Sequence, residues 1–359
     1  MISMIYGVSG TKEEIAAVAF DDVQGTMTEL QRLPLGFAAQ AICFGPDERH
    51  VYVACGHVLK NGEPNGLRFA VRNDGTLDPG EPLSFAHGYS YLSLDRTGRF
   101  LLGASYATGH IDVYDLTHDA GPSLVSSRGD RPTEAHAVAL SPDNRFAYVP
   151  FVKSNNALLQ YAFDAGSGTL SPLVPFEAEV HDDVGPRHPA FHPTGPYVYF
   201  SNEQQLGVSV YRTTRTGQLE LLQVCAANTT EPGKGLDASA IVITPDGRYV
   251  FAAVRGFDRD FNAVIGYAVK DDGTVTPIGE TLTDTIPWII RLGPDARHLF
   301  VSAAQGETLT AYRIEEDGAL THQGALRWGE DFWDMAVPAV DRGVCSPIST
   351  GTGVHDQDH

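Results

Sequence analysis

GPRHPAFHPTGPYVYFSNEQQLGVSVYR, residues 185–212, reads as one structural unit. Two short runs rich in β-branched and aromatic residues, PAFH and YVYF, flank Pro193-Thr194-Gly195-Pro196. That pattern predicts two antiparallel strands joined by a tight turn. A third strand, VSVYR, follows. Arg187 stands before the first strand and Glu203 just after the second, so a hairpin brings both to the same edge of the unit.

The turn recurs along the chain as GPDERHVYV at Pro46, DRTGRFLLG at Arg96, SPDNRFAYV at Pro142, TPDGRYVFA at Pro245 and GPDARHLFV at Pro294. With the copy at Pro193, successive spacings are 50, 46, 51, 52 and 49 residues. Each copy has an apolar run before the turn and a third strand after it: LRFAV, HIDVYDL, ALLQYAF, VSVYR, VIGYAV and LTAYRI. A weaker fourth strand follows a DG or GSG turn, as in GTLSPL, GQLELL, GTVTPI and GALTHQ. Four-stranded antiparallel units of about 50 residues, with almost no helical periodicity, predict an all-β fold, a β-propeller. Six turns are visible. A seventh blade assembles from both ends, FWDMAVPAV supplying the innermost strand and MIYGVSG, EIAAVAF and MTELQRL the other three, so the terminal strands close the ring. The expected organisation is a seven-bladed propeller over residues 1–342 and a flexible tail over 343–359, where Gly, Ser, Thr and Asp dominate without periodicity.

The 359 residues are 42% hydrophobic, ample for a large core, and carry a formal net charge of -20 with a pI near 4.9. This acidity argues against nucleic-acid or anionic-membrane partners, which need a basic surface. Cys43, Cys55, Cys225 and Cys345 lack metal-ligand spacing and read as free thiols. No run approaches the roughly 20 apolar residues of a membrane span, and the start has no basic, apolar leader. A cytoplasmic monomer or small homo-oligomer is the expectation.

Propeller geometry makes the search for a site specific. Six residues before each turn residue stand Gln40, Ser90, His136, Arg187, Ser239 and Trp288; ten after it stand Gly56, Tyr106, Val152, Glu203, Arg255 and Ala304. Both positions belong to one face, near the central channel. His136, Arg187, Glu203 and Arg255 therefore converge from neighbouring blades. Two arginines near a carboxylate point to a small anionic ligand, because guanidinium groups match carboxylate or phosphate oxygens bidentately. Tyr106, Trp288, Ser239 and Ser90 are the expected substrate-binding positions around them.

EAHAVALSPDNRFAYVP (134–150), VGPRHPAFHPTGPYVYFSNE (184–203), IVITPDGRYVFAAVRG (241–256) and SYATGHIDVY (105–114) resemble blade patterns of the seven-bladed lactonase family. That family includes propeller-type bacterial 6-phosphogluconolactonase and fungal carboxy-muconate lactonizing enzyme. The similarity runs from about residue 3 to 342, and its GPRH…FHP…NE block is the most specific part. It implies a catalytic set of His136, Arg187, Arg255 and Glu203 with no metal and no cofactor. The chain departs from the family at Trp288, where a Pro-Arg pair is common, and in the loops GFDRDFN and NTTEPGKGLDAS.

The chemistry expected from this resemblance is hydrolysis of a small anionic sugar lactone. His136 is the general base, Arg187 the oxyanion donor, Arg255 the holder of the substrate's phosphate or carboxylate, and Glu203 the group that orients an arginine or a sugar hydroxyl. Ring closure of a muconate-type acid is the alternative reaction, and a non-catalytic binding module the alternative class. A calcium-dependent lactonase ranks last, since Glu203 is the one carboxylate at a ring position. His181-Asp182-Asp183 reads as a solvated loop, His188 and His192 as structural, GKGLD as no phosphate loop, and Asp258, Arg259 and Asp260 as a surface charge cluster.

Overall fold

A computed structural model gives the fold and describes residues 1–45, 47–57, 62–118, 121–227, 235–257 and 260–338. The expected tail from 343, with Cys345, His355 and His359, lies outside the described residues, as do Asp258, Arg259 and the GK of GKGLD. Twenty-eight strands form seven four-stranded antiparallel sheets, and no α-helix occurs among the described residues. Six sheets take consecutive strands: β4 (Ala39–Phe44) to β7 (Glu81–Leu83), β8 (Tyr91–Leu94) to β11 (Ser123–Arg128), β12 (Ala139–Leu140) to β15 (Thr169–Glu177), β16 (Pro186–Phe191) to β19 (Leu219–Ala226), β20 (Leu236–Ile243) to β23 (Val275–Leu282), and β24 (Pro287–Leu292) to β27 (Leu320–Arg327). We number these blades one to six.

The seventh blade has the order β28-β1-β2-β3, with β28 (Phe332–Ala336) from the far end of the chain beside β1 (Ile2–Ser9), β2 (Glu14–Asp21) and β3 (Thr26–Pro34). Tyr6, Gly7 and Val8 pair with Ala336, Met335 and Asp334. The ring is thus closed by a sheet that neither end of the chain completes alone, as the complementary fragments at the two ends predict.

Burial follows position within the blade. In blade three, β13 (Phe146–Phe151) is buried at every residue, whereas the outermost strand β15 is mostly exposed, with cover at Leu170, Leu173 and Phe176. Continuous apolar runs suit strands covered on both faces. Tyrosines of the second strands also latch neighbouring blades. The hydroxyls of Tyr6, Tyr148 and Tyr199 donate to the carbonyls of Gly75, Gly217 and Gly273 at 2.9, 2.8 and 3.1 Å. Each acceptor sits in a tight turn of the next blade at a φ of 82 to 88°, a conformation natural to glycine.

Candidate active site in the channel mouth

The innermost strands share an irregularity that decides what faces the channel. Pairing with the second strand shifts register between Ala39 and Ala41, Pro186 and Pro189, Ala238 and Ile241, and Pro287 and Ile289. In the closing blade β1 shifts between Val8 and Ser9, where it passes from Asp334 to Phe332. A bulge re-aims the residue it holds. Gln40, Arg187, Ser239, Trp288 and Trp333 occupy these bulges, and Ser90 and His136 precede the short innermost strands of blades two and three. All of these except Ser239 line one cavity of about 300 Å³.

Four side chains meet there on a single oxygen. Arg187 Nε donates to Glu203 Oε2 at 2.9 Å, Arg255 Nη2 lies 3.5 Å from the same atom, and His136 Nε2 lies 3.9 Å from it. Arg187 and Glu203 are 1% and 4% exposed, so this is a buried ion pair under the cavity and not a rim contact. Arg255 also donates to the Ala238 carbonyl at 3.2 Å and stacks over the Trp288 ring, its Cζ 4.5 Å from the centroid.

Electrostatics sort these groups by protonation. Burial, then the Arg187 charge, presses His136 well below the usual histidine range, so its ring is neutral and able to accept a proton at neutral pH. The same two causes hold His188 neutral. Burial and then Arg255 lower Arg187 to about 9, which leaves it charged at pH 7. Burial raises the Asp237 carboxyl, and it raises the Asp334 carboxyl against the pull of Arg291, 2.9 Å away. Buried and without a hydrogen-bond partner are His136 Nδ1 and Arg255 Nε.

The structure therefore brings His136, Arg187, Glu203, Arg255, Tyr106, Trp288 and Ser90 to one cavity. Ser239 is the exception and corrects the expectation for it. Its side chain is fully buried, and its hydroxyl is spent on the Pro287 carbonyl at 2.7 Å and the Ala253 carbonyl at 3.4 Å, which stitches blade five to blade six. His188 departs the other way. Expected to be structural, it lines the cavity, lies 3.3 Å from Arg187 Nη1 through Nε2, and packs edge-on against His136 with centroids 5.0 Å apart.

Lys153, Asp237, Phe257 and Trp333 also line the cavity and had no place in the counting scheme. Lys153 follows Val152, the ring position in its blade, at a φ of 50° that turns the chain out of β13. Trp333 is the seventh blade's counterpart of Arg187; no turn motif follows it, so nothing in the sequence allowed the count. His192 is structural as expected, its Nδ1 accepting from the Gly195 N–H at 2.7 Å. His181 and Asp182 are exposed loop residues. No cluster of three or more His, Cys, Asp or Glu arranged to hold a metal occurs among the described residues.

A closed seven-bladed ring with a charged, aromatic-walled cavity at one mouth of its channel defines a propeller with a small-molecule site. Residues 4–331 match the seven-bladed β-propeller lactonase family, and the chain belongs to that family. It is 29% identical over 344 residues to a 6-phosphogluconolactonase of Cronobacter sakazakii, covering 95% of this chain and 100% of that one. A 6-phosphogluconolactonase of Yersinia pestis is 28% identical over 326 residues, covering 89% and 93% of the two chains. Among solved structures, the periplasmic gluconolactonase of Pseudomonas aeruginosa shares the fold with a TM-score of 0.82 at 20% identity, covering 95% of this chain and 100% of that one.

Proposed function

We propose that this protein is a lactonase that hydrolyses a small anionic sugar lactone, with His136, Arg187, Glu203 and Arg255 as its working set. The observation that carries the reading is the convergence of three basic side chains from three blades on Glu203 Oε2 beneath a cavity of substrate size. Hydrolysis is preferred to ring closure because the relatives from Cronobacter and Yersinia bear hydrolase names.

In the proposed reaction a water adds to the acyl carbon of the lactone as neutral His136 takes its proton. The new imidazolium forms 3.9 Å from the Glu203 carboxylate, which stabilises that charge. Negative charge on the former carbonyl oxygen is met by the cationic pair Arg187 and Arg255, a contribution of a few kcal/mol for a well-placed donor. Collapse breaks the ring C–O bond, His136 returns its proton to the departing alkoxide, and the hydroxy acid leaves. Arg187 is almost fully covered, so its first task is to fix Glu203; Arg255, stacked on Trp288, stands between that carboxylate and the aromatic wall.

A hydrolysis screen over neutral, carboxylated and phosphorylated sugar lactones and muconolactones tests this, comparing wild type with His136→Ala and Arg187→Ala. Loss of about 10²-fold or more in both variants, with thermal unfolding recorded alongside, is expected. Unchanged turnover in both variants removes the site assignment, and absence of turnover on every lactone removes the lactonase reading.

A further inference from the structure

The charges around the cavity and the aromatic wall beside them narrow the substrate further, on the footing of the lactonase reading. Arg187 is held by Glu203. Arg255 is held by Glu203, the Ala238 carbonyl and the Trp288 face. Lys153 alone among the described lining cations is exposed, its Nζ 5.7 Å from the Tyr106 ring centroid. Burial opposes its charge, but the Tyr106 hydroxyl and, at longer range, Glu203 and Asp237 raise its pKa.

Glu203 is spent on the two arginines and Asp334 on Arg291, so Asp237 is the lining carboxyl that remains to face this exposed cation. A phosphate dianion placed at Lys153 meets one exposed ammonium and the Asp237 carboxyl. Part of the lining is aromatic. Trp288 lies 6.2 Å from Phe257 and 6.0 Å from Trp333, centroid to centroid, and Phe257 is 47% exposed. Trp333 is seated by Gly10, at which an added Cβ would fall 2.2 Å from the indole.

We propose that the cavity selects a sugar lactone bearing one carboxylate and no phosphate, the carboxylate at Lys153 and the C–H face of the ring against Trp288, Trp333 and Phe257. A carboxylate matches one ammonium, and the carbon face of a sugar ring replaces water on aromatic carbon. Specificity comes equally from repulsion, since Asp237 disfavours the second negative charge of a phosphate group placed at Lys153.

Calorimetry with the stable open acids glucarate, gluconate and 6-phosphogluconate reads this without relying on turnover. Glucarate is expected to bind about tenfold more tightly than the other two, a difference of about 1.4 kcal/mol. Lys153→Gln, at an exposed position, is expected to bring glucarate down to the level of gluconate, and Trp288→Ala to weaken all three. Tightest binding by 6-phosphogluconate, an unchanged order in Lys153→Gln, or binding of none of the three overturns the proposal. The same lactones assayed for hydrolysis separate the two readings: turnover with a phosphate preference overturns this inference and leaves the lactonase standing, whereas tight glucarate binding with no turnover does the reverse.

Discussion

Arg187 reaches Glu203 across one hairpin, its Nε 2.9 Å from Oε2, and that same oxygen lies 3.5 Å from Arg255 and 3.9 Å from His136. The carboxylate is the electrostatic centre of the site. Removing its charge leaves two buried guanidinium groups uncompensated. Glu203→Gln is expected to lose about 3–5 kcal/mol of stability, the scale for breaking a buried pair from one side, with activity falling alongside. Glu203→Asp keeps the charge and is expected to recover much of the stability but not the activity. Denaturant unfolding and steady-state kinetics on both variants check this.

The buried histidines set a pH dependence. His136 and His188 have folded pKa values below that of the unfolded chain, first through burial and then through Arg187. The unfolded state thus binds protons that the folded state refuses, and their contribution to stability is complete above about pH 6.5 and lost as pH falls below it, by up to about 1.4 kcal/mol per pH unit for each ring. Denaturant midpoints at pH 7.5, 6.5 and 5.5 should fall between the last two, and more gently in His188→Gln. By the same argument kcat/KM should hold steady from pH 7.5 to 6.5, where an ordinary histidine base would begin to titrate.

Ser239 separates a structural hydroxyl from a substrate contact. Its hydroxyl serves the Pro287 and Ala253 carbonyls. Ser239→Ala is expected to cost about 1 kcal/mol, the net value of a buried hydrogen bond, while KM stays at the wild-type value. A raised KM with unchanged stability would reinstate it as a binding residue.

Ring closure can be probed through Gly7. A Cβ there would stand 2.6 Å from two ring carbons of Trp328 and 2.8 Å from Phe332, rings already stacked at 4.3 Å. Gly7→Ala is expected to lose about 1–3 kcal/mol, as overpacked cores do. Gly279→Ala, at a strand position with nothing within 4 Å, should remain within about 0.5 kcal/mol of wild type. Thermal unfolding of both distinguishes a closure effect from a general intolerance of added methyl groups.

The architecture was legible because the turn repeats in the sequence with nearly constant spacing, and because the two ends carry complementary pieces of one blade. The four central side chains were legible for a related reason, since fixed offsets from that turn land on the channel side of each blade. What escaped the count is local. The bulge at Pro186–Pro189 lets the consecutive residues Arg187 and His188 both reach the cavity, contrary to strict strand alternation. A corresponding irregularity at Ala238–Ile241 leaves Ser239 facing the next blade, while Asp237, the cross-strand partner of Arg255, reaches the cavity. Offsets give the position of a residue along a strand; a bulge changes which way it points, and no residue type announces it.

The innermost strand of the seventh blade is the last strand among the described residues, and Trp333 and Asp334 on it are walls of the cavity. During synthesis six blades and three strands can emerge before this segment exists. A product stopped short of Phe332 therefore lacks part of the cavity wall as well as its ring closure, so a chain that cannot close its ring is also one without the complete cavity.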